Sequence, residues 1–226
     1  ITNTYRLVAL FFLVTNFQIV IAQITAIPDT TICSGETVTL SADAAEFCGD
    51  CYTSEAIPFA PVAIGGTSLT MYDDTYSASY DIGFDFCFFG NTFTEFHICS
   101  NGWIGFDGLV PGWEVNWTPN GEIPDTAANV PTNAIFVAWT DWNTGLCANC
   151  IHYETIGTAP FRKLVITFDD VPLFACSPYK GTFQIVLHET TNFIDNHLTA
   201  VSVCSDWDLG VATQGLQNED GTVAYA

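Results

Sequence analysis

Residues 82–106 read IGFDFCFFGNTFTEFHICSNGWIGF, with apolar or aromatic side chains at every second position on both sides of Gly90-Asn91. A period of two marks a strand with one buried face, and a Gly-Asn step between two such runs predicts an antiparallel hairpin. Ser100-Asn101-Gly102 supplies a second turn, and residues 103–106 open a third short strand. The expected core face is Phe84, Phe86, Phe88, Phe96 and Ile98, with Asp85, Cys87, Glu95, His97 and Cys99 on the opposite face. In the simplest register position 87 faces position 94, so Cys87 and Cys99 do not meet and their partners lie elsewhere. This meander holds no catalytic constellation and points to a surface module.

The same grammar continues along the chain. Strands are expected at residues 80–89, 92–99, 103–106, 135–140, 151–154, 162–168, 182–188, 198–203 and 211–216, with turn residues between nearly all of them. No window of ten or more residues after the leader carries helical periodicity. Many short strands separated by turn signals predict an all-β chain folded as an antiparallel β-sandwich. Residues 215–218 and 221–226 read as a final hairpin whose second strand has barely begun. That ending, and an opening without Met, imply a longer parent protein. Residues 43–79 read as long loop, a length uncommon unless functional or tied down by cross-links. The Pro/Asn/Gly-rich span 107–133 is the largest expected crossing loop.

Charge restricts the partners. Among 226 residues, 4 Lys+Arg stand against 25 Asp+Glu, for a formal net charge of −21. Such a surface repels nucleic acid and anionic membranes, so neither is an expected partner. With 49% hydrophobic residues, the chain still has ample material for a core.

At the N-terminus Arg6 precedes an apolar run, residues 7–22, broken only by Thr15, Asn16 and Gln18. Val20-Ile21-Ala22 before Gln23 fits a secretory cleavage site, and the run is shorter than the ~20 residues of a spanning helix. Residues 1–22 are therefore expected to be a signal peptide, with no stable membrane insertion after its cleavage. A retained anchor and a buried N-terminal element in an assembly are the alternatives.

Nine cysteines at positions 33, 48, 51, 87, 99, 147, 150, 176 and 204 form a disulfide inventory in an exported chain, and the odd count leaves one over. Cys176 and Cys204 flank the strand pair 182–188 and 198–203, which favours a bond between them. Cys48-Gly-Asp-Cys51 and Cys147-Ala-Asn-Cys150 have the spacing of zinc knuckles. Disulfides within or between the two pairs are the preferred reading, ahead of zinc and of redox-active thiols.

Carboxylates form the second cluster of interest. Calcium takes oxygen ligands from loop carboxylates and amides, which makes Asp141 with Asn143, and Asp206 with Asp208, the first choices for a possible calcium site. Asp73-Asp74, Asp81, Asp85 and Asp169-Asp170 are further acids, and solvated acidic loops are the competing reading. Trp113 and Trp117 in the long loop are the best candidates for a surface that binds a glycan or a partner. His97, His152, His188 and His197 show no metal spacing, and no nucleophile–base signature or phosphate loop is present. No enzymatic activity is expected.

Several motifs occur in one order: Phe-Phe-Gly (88–90), Ser-Asn-Gly-Trp-Ile-Gly-Phe (100–106), Val-Pro-Thr-Asn-Ala-Ile (130–135), Trp-Thr-Asp (139–141), Ile-His-Tyr-Glu-Thr-Ile-Gly-Thr-Ala-Pro (151–160), Leu-Val-Ile-Thr-Phe-Asp-Asp-Val-Pro (164–172) and Phe-Gln-Ile-Val-Leu-His-Glu-Thr-Thr-Asn (183–192). Over residues 80–226 this order resembles a nidogen-like domain of secreted Bacteroidota surface proteins, gliding-motility-associated or adhesin-like, exported by the type IX route. Residues 26–42, with Cys33-Ser-Gly-Glu-Thr-Val-Thr-Leu, resemble the opening of an immunoglobulin-like repeat. The expected division is a leader at 1–22, an N-terminal strand and Cys-containing loop region at 23–79, and the nidogen-like sandwich at 80–226. Asp29-Thr30-Thr31 and Asp125-Thr126-Ala127 resemble Bacteroidota O-glycosylation acceptors at Thr30 and Thr126. The resemblance implies a non-catalytic, extracellular adhesion or structural module at the cell surface, contacting other surface proteins, glycans or copies of itself. A self-assembling subunit of a filament or surface layer, and a carbohydrate-binding domain, are the alternative functions.

Overall fold

A computed structural model describes residues 49, 51–106, 117, 122–127, 130–202, 204–207 and 210–226. All of them lie in one compact unit, 48–226. The leader, the immunoglobulin-like strand, Thr30, Cys33, Cys48, Trp113 and Asp208 fall outside the described residues.

Eleven described strands build two antiparallel sheets. They are β1 Thr67–Leu69, β2 Tyr80–Phe88, β3 Asn91–Cys99, β4 Trp103–Gly105, β5 Ala134–Trp139, β6 Ile151–Ile156, β7 Lys163–Pro172, β8 Lys180–His188, β9 Ile194–Val201, β10 Thr213–Gln217 and β11 Ala224–Tyr225. One sheet runs β1-β6-β7-β8-β9 and the other β11-β10-β5-β4-β3-β2. Between them lies the main core, in which Ile82, Phe86, Phe88, Phe96, Ile98, Ile104, Ile135 and Val137 meet Ile151, Leu164, Ile166, Phe168, Phe183, Ile185 and Leu187. Each side chain of this size contributes roughly 1.5–3 kcal/mol on burial. Phe168 and Phe183 face each other across β7 and β8, with rings stacked 4.7 Å apart. The chain is thus the all-β sandwich its periodicity predicts.

The first hairpin turns one residue earlier than expected. Phe89 and Gly90, with φ of 45° and 81°, form the tip, and Phe88 pairs with Asn91. Two central residues with positive φ match the right-handed twist of the flanking strands. Cys87 consequently faces Thr92 and not position 94. Further along, Phe86 pairs with Phe93 but Asp81 with Glu95, so residues 82–85 oppose Thr94 alone. Phe84, Phe86, Phe88, Phe96 and Ile98 are buried as the alternation predicts, and Asp85 and Glu95 are exposed.

His97 and Cys99, expected on the outer face, are buried because both sheets are covered on their outer sides, and Cys87 is buried too, its N–H donating to Asn192 Oδ1 at 2.8 Å. Cys99 joins a second cluster with Trp103, Val130, Ala134, Phe136 and Trp139, against which Tyr76 and Ile123 pack. His97 Nδ1 lies 3.2 Å from the Ser77 carbonyl, and Ser77 in turn bonds the Ile98 backbone at both its carbonyl and its amide. β5 is buried along its whole length because its alternate residues serve the two clusters.

On the outer side of the other sheet, Thr167, Gln184 and His197 are neighbours across β7, β8 and β9. Val62 donates its N–H to Gln184 Oε1 at 2.8 Å and accepts from Gln184 Nε2 at 3.0 Å, while Nε2 also donates to Thr167 Oγ1 at 2.8 Å. Phe59 meets His197 edge to face. Part of the expected long loop is therefore a strap whose backbone bonds a side-chain amide in place of a ladder, and its continuation, β1, joins the sheet beside β6. This places described residues upstream of 80 inside the sandwich.

Candidate binding end of the sandwich

The strand connections separate into two groups. The turns at 89–90, 157–162, 189–193 and 218–223 close one end, the hairpin end. Segments 70–79, 100–102, 140–150, 173–179 and the described residues of 202–212 gather at the other, the loop end. Their mutual bonds are specific. Phe174 donates its N–H to the Asp141 carbonyl at 3.0 Å, Thr144 Oγ1 donates to the Tyr72 carbonyl at 2.9 Å, and Thr75 N–H donates to Ser100 Oγ at 3.0 Å. Trp142 anchors the assembly. It is fully buried, donates Nε1–H to the Ala138 carbonyl at 2.7 Å, and packs so closely on Gly181 that a Cβ there would sit 2.4 Å from the ring.

Two disulfides stand at this end. Cys176 is joined to Cys204, the pair favoured by their positions around the β8–β9 hairpin, and Cys147 is joined to Cys150. The second bond removes two of the four thiolates that a zinc knuckle needs, which overturns the zinc reading. Cys51 is exposed and Cys87 is disulfide-bonded. Cys99, a disulfide candidate in the sequence, is instead a buried thiol at the edge of the Trp103 cluster. It fills space as a small apolar residue.

Carboxylates converge here as well. Asp73, Asp74 and Asp141 each offer an oxygen, all within 4.8 Å of one another. Asp141 is 3% exposed, and its Oδ2 accepts from Trp207 Nε1 at 2.9 Å. Asn101, fully buried, donates Nδ2–H to Asp74 Oδ1 at 2.8 Å and accepts from the Trp142 amide at 3.1 Å, which fixes one carboxylate relative to the next. Burial, then the neighbouring Asp74 charge, pushes the Asp73 carboxyl up to about 6 from 3.8. Asp73 Oδ1 is buried without a hydrogen-bond partner. An all-oxygen donor set with an unsatisfied buried oxygen suits a hard cation such as calcium.

Only part of this trio was legible beforehand. Asp141 is one of the expected ligands, and the structure brings it to Asp73 and Asp74. Asn143, the partner expected for Asp141, lies close to Asp73, since a Cβ on Gly145 would stand 3.2 Å from Asn143 Oδ1 and 3.7 Å from the Asp73 nitrogen, whereas Asp206 is exposed in its own loop. Asn101, read only as a turn residue, was missed. Trp117 and Thr126, the described members of their candidate sites, are both exposed.

The rim of the loop end is apolar. Tyr72 is 84% exposed, Leu146 61% and Tyr179 51%, each on a segment pinned by the bonds above. Exposed large apolar side chains on segments held in place are features of contact surfaces.

Comparison with known proteins agrees with this architecture. The family described as NIDO related matches residues 50–226, beginning upstream of the boundary at 80 and covering β1 to β11. No curated protein and no solved structure gives a match. Since the matched span takes in most of the chain and every described strand, the chain belongs to the NIDO-related family.

Proposed function

We propose that this chain works outside the cell as a non-catalytic adhesion or structural module, with the loop end as its contact surface. The observation that carries the proposal is a set of interlocked loops, tied by Cys147–Cys150 and Cys176–Cys204, that presents exposed Tyr72, Leu146 and Tyr179 at one end of a nidogen-related sandwich. Disulfides fit an oxidising compartment, and among the described residues no helix is long and apolar enough to cross a membrane. Motif order supports a finer reading, a Bacteroidota surface protein exported by the type IX route and associated with gliding. Beads coated with the intact, non-reduced protein should adhere to the surface of the cells that produce it and detach when the disulfides are reduced. Beads that never adhere would contradict the proposal.

A second element of the proposal is calcium. Asp73, Asp74 and Asp141 would hold the ion, with Asn101 orienting Asp74 and Trp207 orienting Asp141. Bound there, a divalent cation offsets two of the three carboxylate charges and locks the β2 entry to the β5–β6 loop. Calcium added to chelator-treated protein at pH 7 should raise Tm by several degrees, and an unchanged Tm excludes it.

A further inference from the structure

Between Phe168 and Val171, β7 carries a bulge. Phe168 pairs with Phe183 and Val171 with Gly181, so Asp169 and Asp170 together oppose Thr182. Asp170 takes a left-handed φ of 53°, and its N–H is held by Thr182 Oγ1 at 3.0 Å. A two-on-one bulge re-aims side chains, and a left-handed non-glycine residue in it is the kind of outlier from which a functional role can be argued. Here it brings both carboxylates to the wall of a cavity of about 440 Å³, which Leu146, Asn149, Pro172 and Lys180 also line.

The walls are fixed. Cys147–Cys150 closes one side, and the Cys150 carbonyl accepts the Asp169 N–H at 2.7 Å. Asn149, also left-handed with φ 58°, accepts from Thr70 Oγ1 at 3.2 Å and Ser68 Oγ at 3.5 Å. Lys180 pairs with Asp170. Asp169 has no ion-pair partner among the described residues.

We propose that this cavity receives a cationic side chain presented by a partner protein, with arginine the best fit. The proposal deepens the adhesive reading and rests on it. An anion would meet two carboxylates against a single ammonium that is already paired. A guanidinium matches a carboxylate in two parallel bonds and gives up its water more readily than an ammonium. The cavity volume falls within the ~300–1,000 Å³ of ordinary ligand sites, room enough for one long side chain. Exposed Leu146 on the wall and Tyr179 beside Lys180 offer apolar contact to the residues flanking that cation, the usual surroundings of an arginine that carries an interface.

The test is calorimetric titration of the intact, non-reduced protein with the blocked tripeptide acetyl-Leu-Arg-Leu-amide. The same peptide with citrulline, a neutral isostere, and free arginine amide serve as comparisons. The arginine peptide should bind saturably, with the citrulline peptide and the Asp169→Asn variant each weaker by about tenfold. Lys180→Ala, which frees Asp170, should tighten binding. Equal affinity for citrulline, indifference to Asp169→Asn in a variant with native circular dichroism, or no saturable binding overturns the proposal. Arginine amide binding as tightly as the tripeptide overturns the protein partner. Beads carrying Asp169→Asn that adhere as well as wild type also overturn it and leave the adhesive reading standing, whereas wild-type beads that fail to adhere refute that reading itself.

Discussion

Gly90 and Gly102 have almost the same backbone, φ 81° and 82°, but sit at opposite ends of the sandwich in different surroundings. A Cβ on Gly90, at the tip of the β2–β3 hairpin, would meet nothing within 4 Å. On Gly102 it would lie 2.6 Å from the Ala138 carbonyl and 3.0 Å from Trp142 Nε1. The β2–β3 tip needs glycine for its turn alone, whereas position 102 needs it for its turn and for packing. The same contrast runs through the rest of the two ends. Short turns, the Arg162–Glu189 pair and the disulfide-bonded Cys87 stand at the first, and the Cys147–Cys150 and Cys176–Cys204 bonds, three converging carboxylates and a bulge-lined cavity occupy the second. One set of strands supports both, so the difference arises in the connections, where binding residues are usually found.

The largest predicted effect breaks the loop end at its anchor. Trp142→Ala removes a fully buried ring and its bond to the Ala138 carbonyl, and should cost about 3–5 kcal/mol in urea denaturation. Replacing Cys176 and Cys204 together with serine opens a link of sequence separation 28 and should cost about 2–4 kcal/mol. Next comes the glycine pair. Gly90→Ala should lose about 1–2 kcal/mol from left-handed strain alone, and Gly102→Ala clearly more because the backbone at Ala138 must move. Equal losses would mean that the contacts around position 102 give way without cost.

Asp73 gives a pH signature confined to the loop end. Below 3.8 the carboxyl is protonated in both folded and unfolded chains and contributes no pH dependence. Between 3.8 and about 6 the folded protein keeps a proton that the unfolded chain releases, so cation-free protein should lose stability as pH rises through that window. Asp73→Asn should flatten this part of the profile, and calcium should restore stability above it. The smallest effect belongs to Lys180→Ala, whose exposed pair with Asp170 is worth less than about 1 kcal/mol.

What the sequence revealed was what lies close along the chain. The alternation from 82 to 106 and the turn residues carry the sandwich, and the β10–β11 hairpin forms where expected, with Leu216 opposite Tyr225. Cys176 and Cys204 were legible because they bracket one hairpin. β9 begins at Ile194, upstream of the expected 198, because Asp195, Asn196 and His197 hide its period in polar side chains. The grouping of the acid trio was not legible, since Asp73 and Asp141 meet only after β3, β4 and β5 have paired. The strap at Val62 was equally hidden, for its anchor is Gln184 on a strand far along the chain.

Adhesion is the central claim, and exposed apolar residues at each end provide a matched test. Beads carrying Leu146→Ser with Asp169→Asn, at the loop end, would be compared with beads carrying Phe161→Ser with Phe193→Ser, at the hairpin end. All variants would be checked for native circular dichroism, and adhesion to the producing cells measured. Loss of adhesion in the first variant with retention in the second is the predicted result. Equal adhesion of both, or loss only in the second, would contradict the assignment of the loop end as the contact surface.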